Sequence, residues 1–160
     1  MPLQAKAQCQ KVLQCAPDHA EAHYLLGVIA VRAGRLPEAS KHFADALQRA
    51  PNNPAGHNNF GVVLKQLGQL DQARVSFETA IAQKADYAEA WINLGNLLQI
   101  QGQPERSLEA LEQGIKLRPD IAEAHHNRGQ LLLQLGRIDE ALLSLKQAVA
   151  LRPDYASAFN

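Results

Sequence analysis

Histidine is the residue type in this chain that could most readily bind a metal ion or transfer a proton, and the 160-residue sequence contains six histidines. Three of them, His23, His57 and His125, are separated by multiples of 34 residues, as expected of packing residues that recur in a repeated structure. His125 and His126 are adjacent, so on a helix they point about 100° apart and do not form a pair of metal ligands. The sequence contains no HExxH, GxSxG, P-loop or GxGxxG motif. We therefore expect no catalytic, cofactor-binding or metal-binding residue in this chain, and no enzyme activity.

Asparagine has the same spacing as these histidines, because Asn59, Asn93 and Asn127 are each 34 residues apart. A side-chain amide carries both a hydrogen-bond donor and an acceptor, which complement the groups of an extended peptide backbone. Asparagine prefers caps and turns to helix interiors, so three in equivalent positions predict a row of amides that binds a peptide. The alternative is that asparagine is only tolerated at a solvent-facing position.

An internal repeat explains both spacings. Four units of 34 residues span 20–53, 54–87, 88–121 and 122–155, preceded by a partial repeat and turn at 1–19 and followed by the start of a further helix at 156–160. Positions 4, 7, 8 and 11 of each unit lie on one helical face, and positions 20, 24 and 27 lie on one face of a second helix. Glycine at position 15 ends the first helix, and glycine at position 8 lets the two helices approach closely.

This pattern predicts nine helices. They are expected near residues 3–15, 20–33, 36–49, 54–67, 70–83, 88–101, 104–117, 122–135 and 138–151.

The 34-residue period and the positions W-x2-L-G, A-x3-F-x2-A and P resemble the tetratricopeptide repeat family. The resemblance implies an all-α fold in which residues 1–160 form a single domain, an α-solenoid of antiparallel helix pairs with a right-handed superhelical twist. It also implies that the first helices line a concave groove, and the asparagine row is similar to that of O-GlcNAc transferases. The residues then expected to bind a peptide are Asn58, Asn59, Lys65, Asn93, Asn96, His126, Asn127 and Gln130.

The expected function is that of a protein–protein interaction module that binds an extended segment of another protein. The alternative is a substrate-recruiting arm of a larger enzyme, with glycosyltransferase- or sulfotransferase-like chemistry encoded outside this chain.

Sixteen basic and sixteen acidic residues give no net charge, which argues against nucleic acid as a partner. The longest apolar run, from Tyr24 to Val31, is too short to span a membrane. With no N-terminal signal, we expect a cytoplasmic protein, and open ends of the repeat stack would allow self-association.

Two residues depart from the repeat. Leu25 replaces asparagine at position 6 and, together with Tyr24, Val28 and Val31, makes this part of the first helix apolar. This surface is either a pocket for an apolar residue or a face covered by an earlier repeat. Arg128 occupies position 7, where the other units have an apolar residue. Because a buried unpaired guanidinium is costly, we expect Arg128 to reach solvent or to pair with a carboxylate.

Overall fold

The computed structural model describes residues 2–153, with side chains described from residue 4 onward. The chain divides into two compact units, unit 1 (Met1–Ala85) and unit 2 (Asp86–Asn160). The helices of unit 1 are α1 (Pro2–Cys15), α2 (Ala20–Arg32), α3 (Leu36–Arg49), α4 (Pro54–Gln66) and α5 (Leu70–Gln83). Those of unit 2 are α6 (Ala88–Ile100), α7 (Pro104–Leu117), α8 (Ala122–Gln134) and α9 (Ile138–Leu151).

The predicted all-α fold of stacked helix pairs is confirmed, since the described residues form helices and turns and no strand. In unit 1, α2 pairs with α3 and α4 with α5; in unit 2, α6 pairs with α7 and α8 with α9. The pairs stack through α3 against α4 and through α7 against α8. The helix predicted to begin at residues 156–160 lies outside the described residues. That the chain forms a single domain remains a prediction.

Turns of few residues join the helices, and glycine makes them possible. Gly34 and Gly68 follow α2 and α4 with φ values of 70° and 77°, in the left-handed region that other residues avoid. The first helices end one residue earlier than predicted, because residues such as Ala33 already leave helical geometry, with φ −89° and ψ 4°. At the other end of a helix, the Asn53 side chain caps α4 by accepting a 2.8 Å hydrogen bond from the Gly56 amide.

Each helix pair packs a glycine of its first helix under a large residue of its second helix. A Cβ atom added to Gly61 would lie 2.7 Å from the Phe77 ring, and one added to Gly129 would lie 2.7 Å from Leu145. Gly27 and Gly95 make the equivalent approaches. Position 8 is therefore glycine because the helices are too close for any side chain, as the repeat predicts.

Each unit has an apolar core of its own. In unit 1, buried Ala30, Ala39, Phe43 and Val63 form one cluster, and Cys9 packs with Ala22 and Leu26 where α1 meets α2. In unit 2, one cluster joins all four helices and is formed by Ile92, Leu108, Leu111, Ala124, Leu131, Leu132 and Ala141. Among the described residues, no helix combines the length and the apolar character that crossing a bilayer requires.

Candidate functional site

The first helices of consecutive repeats lie next to one another within each unit, and we call the surface they form the first-helix face. In unit 1 it consists of α2 and α4, and in unit 2 of α6 and α8. Asn59 lies in unit 1, whereas Asn93 and Asn127 lie in unit 2. All three asparagines are half-buried.

A polar contact between described residues joins the two helices of the unit 1 face. Asn59 Nδ2 on α4 donates a 2.8 Å hydrogen bond to the hydroxyl oxygen of Tyr24 on α2. Within the described part of the chain, Asn59 Oδ1 makes no hydrogen bond, so this acceptor remains for a ligand. The amide is therefore held in place through its donor and offers its acceptor.

An apolar depression of about 200 Å³ lies beside this contact. Its lining consists of Val28, Val31, Arg32, Phe43, Asn59, Val62 and Val63. The valines and the phenylalanine make the depression suited to an aliphatic side chain, and the amide of Asn59 and the guanidinium of Arg32 add polar groups to it. Leu25 lies on the same helix and is 43% exposed.

Amide–amide pairs between described residues join α6 and α8 on the unit 2 face. Asn127 Nδ2 donates to Asn96 Oδ1 at 2.8 Å, and Gln99 Nε2 donates to Gln134 Oε1 at 3.0 Å. Each pair uses one amide oxygen and one amide nitrogen, which leaves one oxygen and one nitrogen for a ligand. The sequence predicted that Asn96 and Asn127 lie on one face, but it did not predict that they form a pair. Nor did it predict the pair of Gln99 with Gln134.

The other residues predicted to bind a peptide differ in accessibility. Gln130 on α8 is exposed, and Lys65, Asn93 and His126 are half-buried. Asn58 is 6% exposed and belongs to the interior of its unit. A ligand on the first-helix face would contact little of its side chain.

The histidines at position 4 share one structural contact. The ring Nε2 of His23, His57 and His125 lies 3.1, 2.9 and 2.9 Å, respectively, from the carbonyl oxygen of the proline six residues earlier. Each ring thus attaches the start of a first helix to the turn that precedes it. This contact agrees with the packing role inferred from the spacing.

His23 has a second set of neighbours that the sequence did not indicate. Its Nδ1 atom lies 3.5 Å from Nδ1 of His42 and 3.8 Å from Oδ2 of Asp45, both on α3. Burial lowers the pKa of His42 and the adjacent His23 lowers it further, while Glu38 and Asp45 oppose these effects. His42 is therefore held in its neutral form more strongly than an exposed histidine. The feature of the sequence that could have indicated this group is that only the first repeat has histidine at position 23 and aspartate at position 26.

Arg128 is paired, as expected from the cost of burying a lone guanidinium. Its Nη2 lies 2.9 Å from Oε1 of Glu112 and 3.9 Å from Oε2 of Glu140, and its Nη1 donates to the Ser144 hydroxyl at 2.6 Å. The side chain is 22% exposed, so the charge lies at the edge of the packed interior and is compensated there.

Comparison with known sequences identifies the repeat along nearly the whole chain. Four family models, each described as a tetratricopeptide repeat or TPR repeat, match residues 2–58, 42–75, 63–102 and 93–156. No curated protein sequence matches the chain.

Solved structures of similar fold include two forms of MamA. A crystal structure of MamA has a TM-score of 0.86 and 22% identity, with 95% of this chain and 89% of that chain covered. MamA from Desulfovibrio magneticus RS-1, from residue 41 to its end, has a TM-score of 0.86 and 21% identity, with 96% and 86% covered.

A third similar structure is that of YrrB, described as a TPR protein with an unusual peptide-binding site. It has a TM-score of 0.83 and 25% identity over 99% of this chain and 81% of that chain. The family models and these folds agree with the 34-residue helix pairs described above. The chain therefore belongs to the tetratricopeptide repeat family.

Proposed function

We propose that this chain is a protein-interaction module that binds an extended segment of another protein on its first-helix faces. The observation that carries the proposal is the pair of amide–amide contacts in unit 2, Asn127 with Asn96 and Gln99 with Gln134. Each pair holds two amides in fixed orientation and leaves a donor and an acceptor for a ligand. An extended peptide backbone offers the complementary carbonyl and N–H groups.

The fixed orientation of these amides favours binding. An amide already held by its neighbour loses little side-chain freedom when a peptide arrives, so less of the interaction energy is spent on ordering it. Backbone recognition of this kind depends little on the side chains of the peptide. The unit 2 face is therefore proposed to supply general affinity for an extended segment.

The unit 1 face is proposed to be the more selective of the two faces. Its depression is lined mainly by Val28, Val31, Val62 and Phe43, with Asn59 beside it. An aliphatic peptide side chain would fill the depression while Asn59 Oδ1 accepts a backbone N–H. Full burial of such a side chain contributes about 1.5–3 kcal/mol. The similarity to YrrB, whose structure is described as having a peptide-binding site, supports the class of ligand.

The test begins with selection from a displayed library of random peptides on the full chain. A selected peptide is then measured by fluorescence polarisation against Asn127→Ala and Asn59→Ala. Loss of one or two hydrogen bonds is expected to weaken binding about tenfold. The matched controls are Gln113→Ala and Gln147→Ala, which remove exposed amides from the second helices α7 and α9 and are expected to bind normally.

A second measurement separates backbone from side-chain recognition. N-methylation of a single peptide bond within the bound segment removes a donor without changing the side chains, and at the contacted bond it is expected to weaken binding as much as Asn127→Ala does. Circular dichroism establishes that the variants remain helical. Equal affinity for the wild type, both first-helix variants and every N-methylated peptide would reject the proposal.

A further inference from the structure

We propose that His23, His42 and Asp45 form a binding site for a divalent transition-metal ion, with Zn²⁺ as the best-fitting candidate. His23 lies on α2, and His42 and Asp45 lie three residues apart on one face of α3. The inference concerns the contact between the two helices of the first repeat. It does not depend on peptide binding.

The distances between the three side chains fit coordination of one ion. Two ligand atoms at about 2.0–2.1 Å from a tetrahedral Zn²⁺ are about 3.3 Å from each other. The Nδ1 atoms of His23 and His42 are 3.5 Å apart, and His23 Nδ1 is 3.8 Å from Asp45 Oδ2. One ligand atom from each of the three residues lies within 4.8 Å of the other two. Side-chain rotations that shorten these separations by about 0.2, about 0.5 and at most about 1.5 Å would therefore let all three coordinate the same ion.

The contact made by the other nitrogen of His23 prepares its ring for this role. His23 Nε2 lies 3.1 Å from the carbonyl oxygen of Pro17, which can only accept, so Nε2 carries the proton. Nδ1 then has the lone pair, and it faces His42 and Asp45. Metal-bound histidines are commonly oriented in this way, by donating their second ring N–H to a carbonyl or carboxylate.

The surroundings favour the ligand forms of these side chains. At a separation of 3.5 Å the Nδ1 atoms of His23 and of the half-buried His42 do not both carry a hydrogen, so a lone pair lies between the two rings. Asp45 supplies a negative charge, and its other oxygen, Oδ1, lies 3.8 Å from the Arg49 guanidinium. Glu38 lies on the same helix, but its carboxylate is paired with Arg35 at 3.0 Å and with Lys6 at 3.4 Å, so Asp45 is the carboxylate that faces the imidazole of His23. Two imidazoles and one carboxylate suit Zn²⁺ and neighbouring transition metals better than Mg²⁺ or Ca²⁺.

Comparison of the repeats distinguishes the group of His23, His42 and Asp45 from the other histidines at position 4. His57 and His125 occupy the position of His23 and make the same contact with a proline carbonyl. In those units position 23 is serine and position 26 is threonine or glutamine, so these two positions do not provide the histidine and the carboxylate that accompany His23. Between residues 2 and 153, which the structure describes, only the first repeat combines the oriented histidine with two further donors. The other repeats therefore provide control residues.

The test uses the full, untagged chain after removal of metals with a chelator. Calorimetric titration with ZnCl₂ is expected to give one ion bound per chain, and Co²⁺ is expected to give the intense visible absorption of a tetrahedral site. His42→Ala and Asp45→Asn each remove one ligand and are expected to weaken binding by about 100-fold or more, beyond the usual effect of losing a residue that only orients a ligand. His57→Ala and His126→Ala are the matched controls and are expected to bind one ion like the wild type.

Thermal unfolding gives an independent readout. Zn²⁺ is expected to raise the Tm of the wild type and of His57→Ala but not that of His42→Ala, because only a folded site binds the ion. Asp45→Asn is nearly isosteric, so it reports on ligation even if His42→Ala perturbs packing. Absence of one-to-one binding by the wild type, or equal binding by His42→Ala, Asp45→Asn and His57→Ala, would overturn the proposal.

Discussion

Replacing Gly61 with alanine tests the inference that close helix approach determines position 8 of the repeat. The added Cβ atom would lie 2.7–3.0 Å from three atoms of the Phe77 ring, whereas carbon atoms in contact prefer about 3.5–4.0 Å. Phe77 is fully buried, so the ring cannot move into solvent. Overpacking of this kind costs about 1–3 kcal/mol, while alanine gains about 1 kcal/mol of helix propensity over glycine. We expect a net destabilisation of about 1 kcal/mol.

A double-mutant cycle gives a stronger test of the same inference. Phe77→Ala alone is expected to cost about 3–5 kcal/mol. In that background the ring is gone, so Gly61→Ala should stabilise the chain by about 1 kcal/mol through helix propensity. The effect of the alanine on the free energy of unfolding therefore reverses its sign. Urea denaturation followed by circular dichroism measures all four proteins.

Gly68→Ala is the matched control. Gly68 follows α4, the helix that contains Gly61, but this position is glycine for a different reason. Its φ is 77°, and an added Cβ atom would have no neighbour within 4 Å. Left-handed backbone geometry costs a non-glycine residue about 1–2 kcal/mol, and this cost should be the same with or without the Phe77 ring. If Gly61→Ala changed the free energy of unfolding by the same amount in the wild type and in Phe77→Ala, contact with Phe77 would not be the reason for glycine at position 8.

Three further outcomes follow from side chains elsewhere in the chain. Arg128→Leu is expected to leave the free energy of unfolding unchanged or raised by about 1 kcal/mol in urea denaturation, since an apolar side chain requires no charge to be desolvated; a loss of about 3 kcal/mol or more would contradict this. Burial and the neighbouring His23 lower the pKa of His42, so protonation opposes folding. As the pH is lowered below about 6.5, the Tm of the wild type in chelator should fall faster than that of His42→Gln. Parallel curves of Tm against pH for the two proteins would exclude the effect. Cys15 is exposed and Cys9 is buried, so a thiol reagent should modify one thiol rapidly and the other only on unfolding, whereas two equally fast reactions would argue against the packing of α1.

The helices could be predicted to within a residue because their signals are local and repeated four times. Glycine at position 15 and proline near position 32 mark helix ends in the sequence itself, and Gly68 has the positive φ that its position predicts. The small residues at positions 8 and 20 likewise predicted a close helix pair, and Gly61 indeed lies against Phe77. Repetition makes such signals reliable, since each unit gives the same indication independently.

The contacts of the candidate sites could be predicted only in part. The spacing of Asn59 and Asn127 placed them at equivalent positions, yet one donates to Tyr24 and the other to Asn96. The partner differs because the residue at position 9 of the preceding unit is valine in one case and asparagine in the other. Such a choice requires knowledge of how two neighbouring helices are offset, which the period alone does not contain.

The sequence by itself determined the family, the helix boundaries to within one residue and the face on which most of the predicted residues lie, with buried Asn58 as an exception, because helix geometry relates residues three, four and seven apart in the same way everywhere. Only the tertiary structure decided which side chains of different helices touch. His23 and His42 are 19 residues apart, and Arg128 and Glu112 are 16 residues apart, so their contacts depend on the separation and rotation of two helix axes. Those quantities are set by packing in the core, and a shift of a few ångströms there would separate both groups without altering any pattern in the sequence.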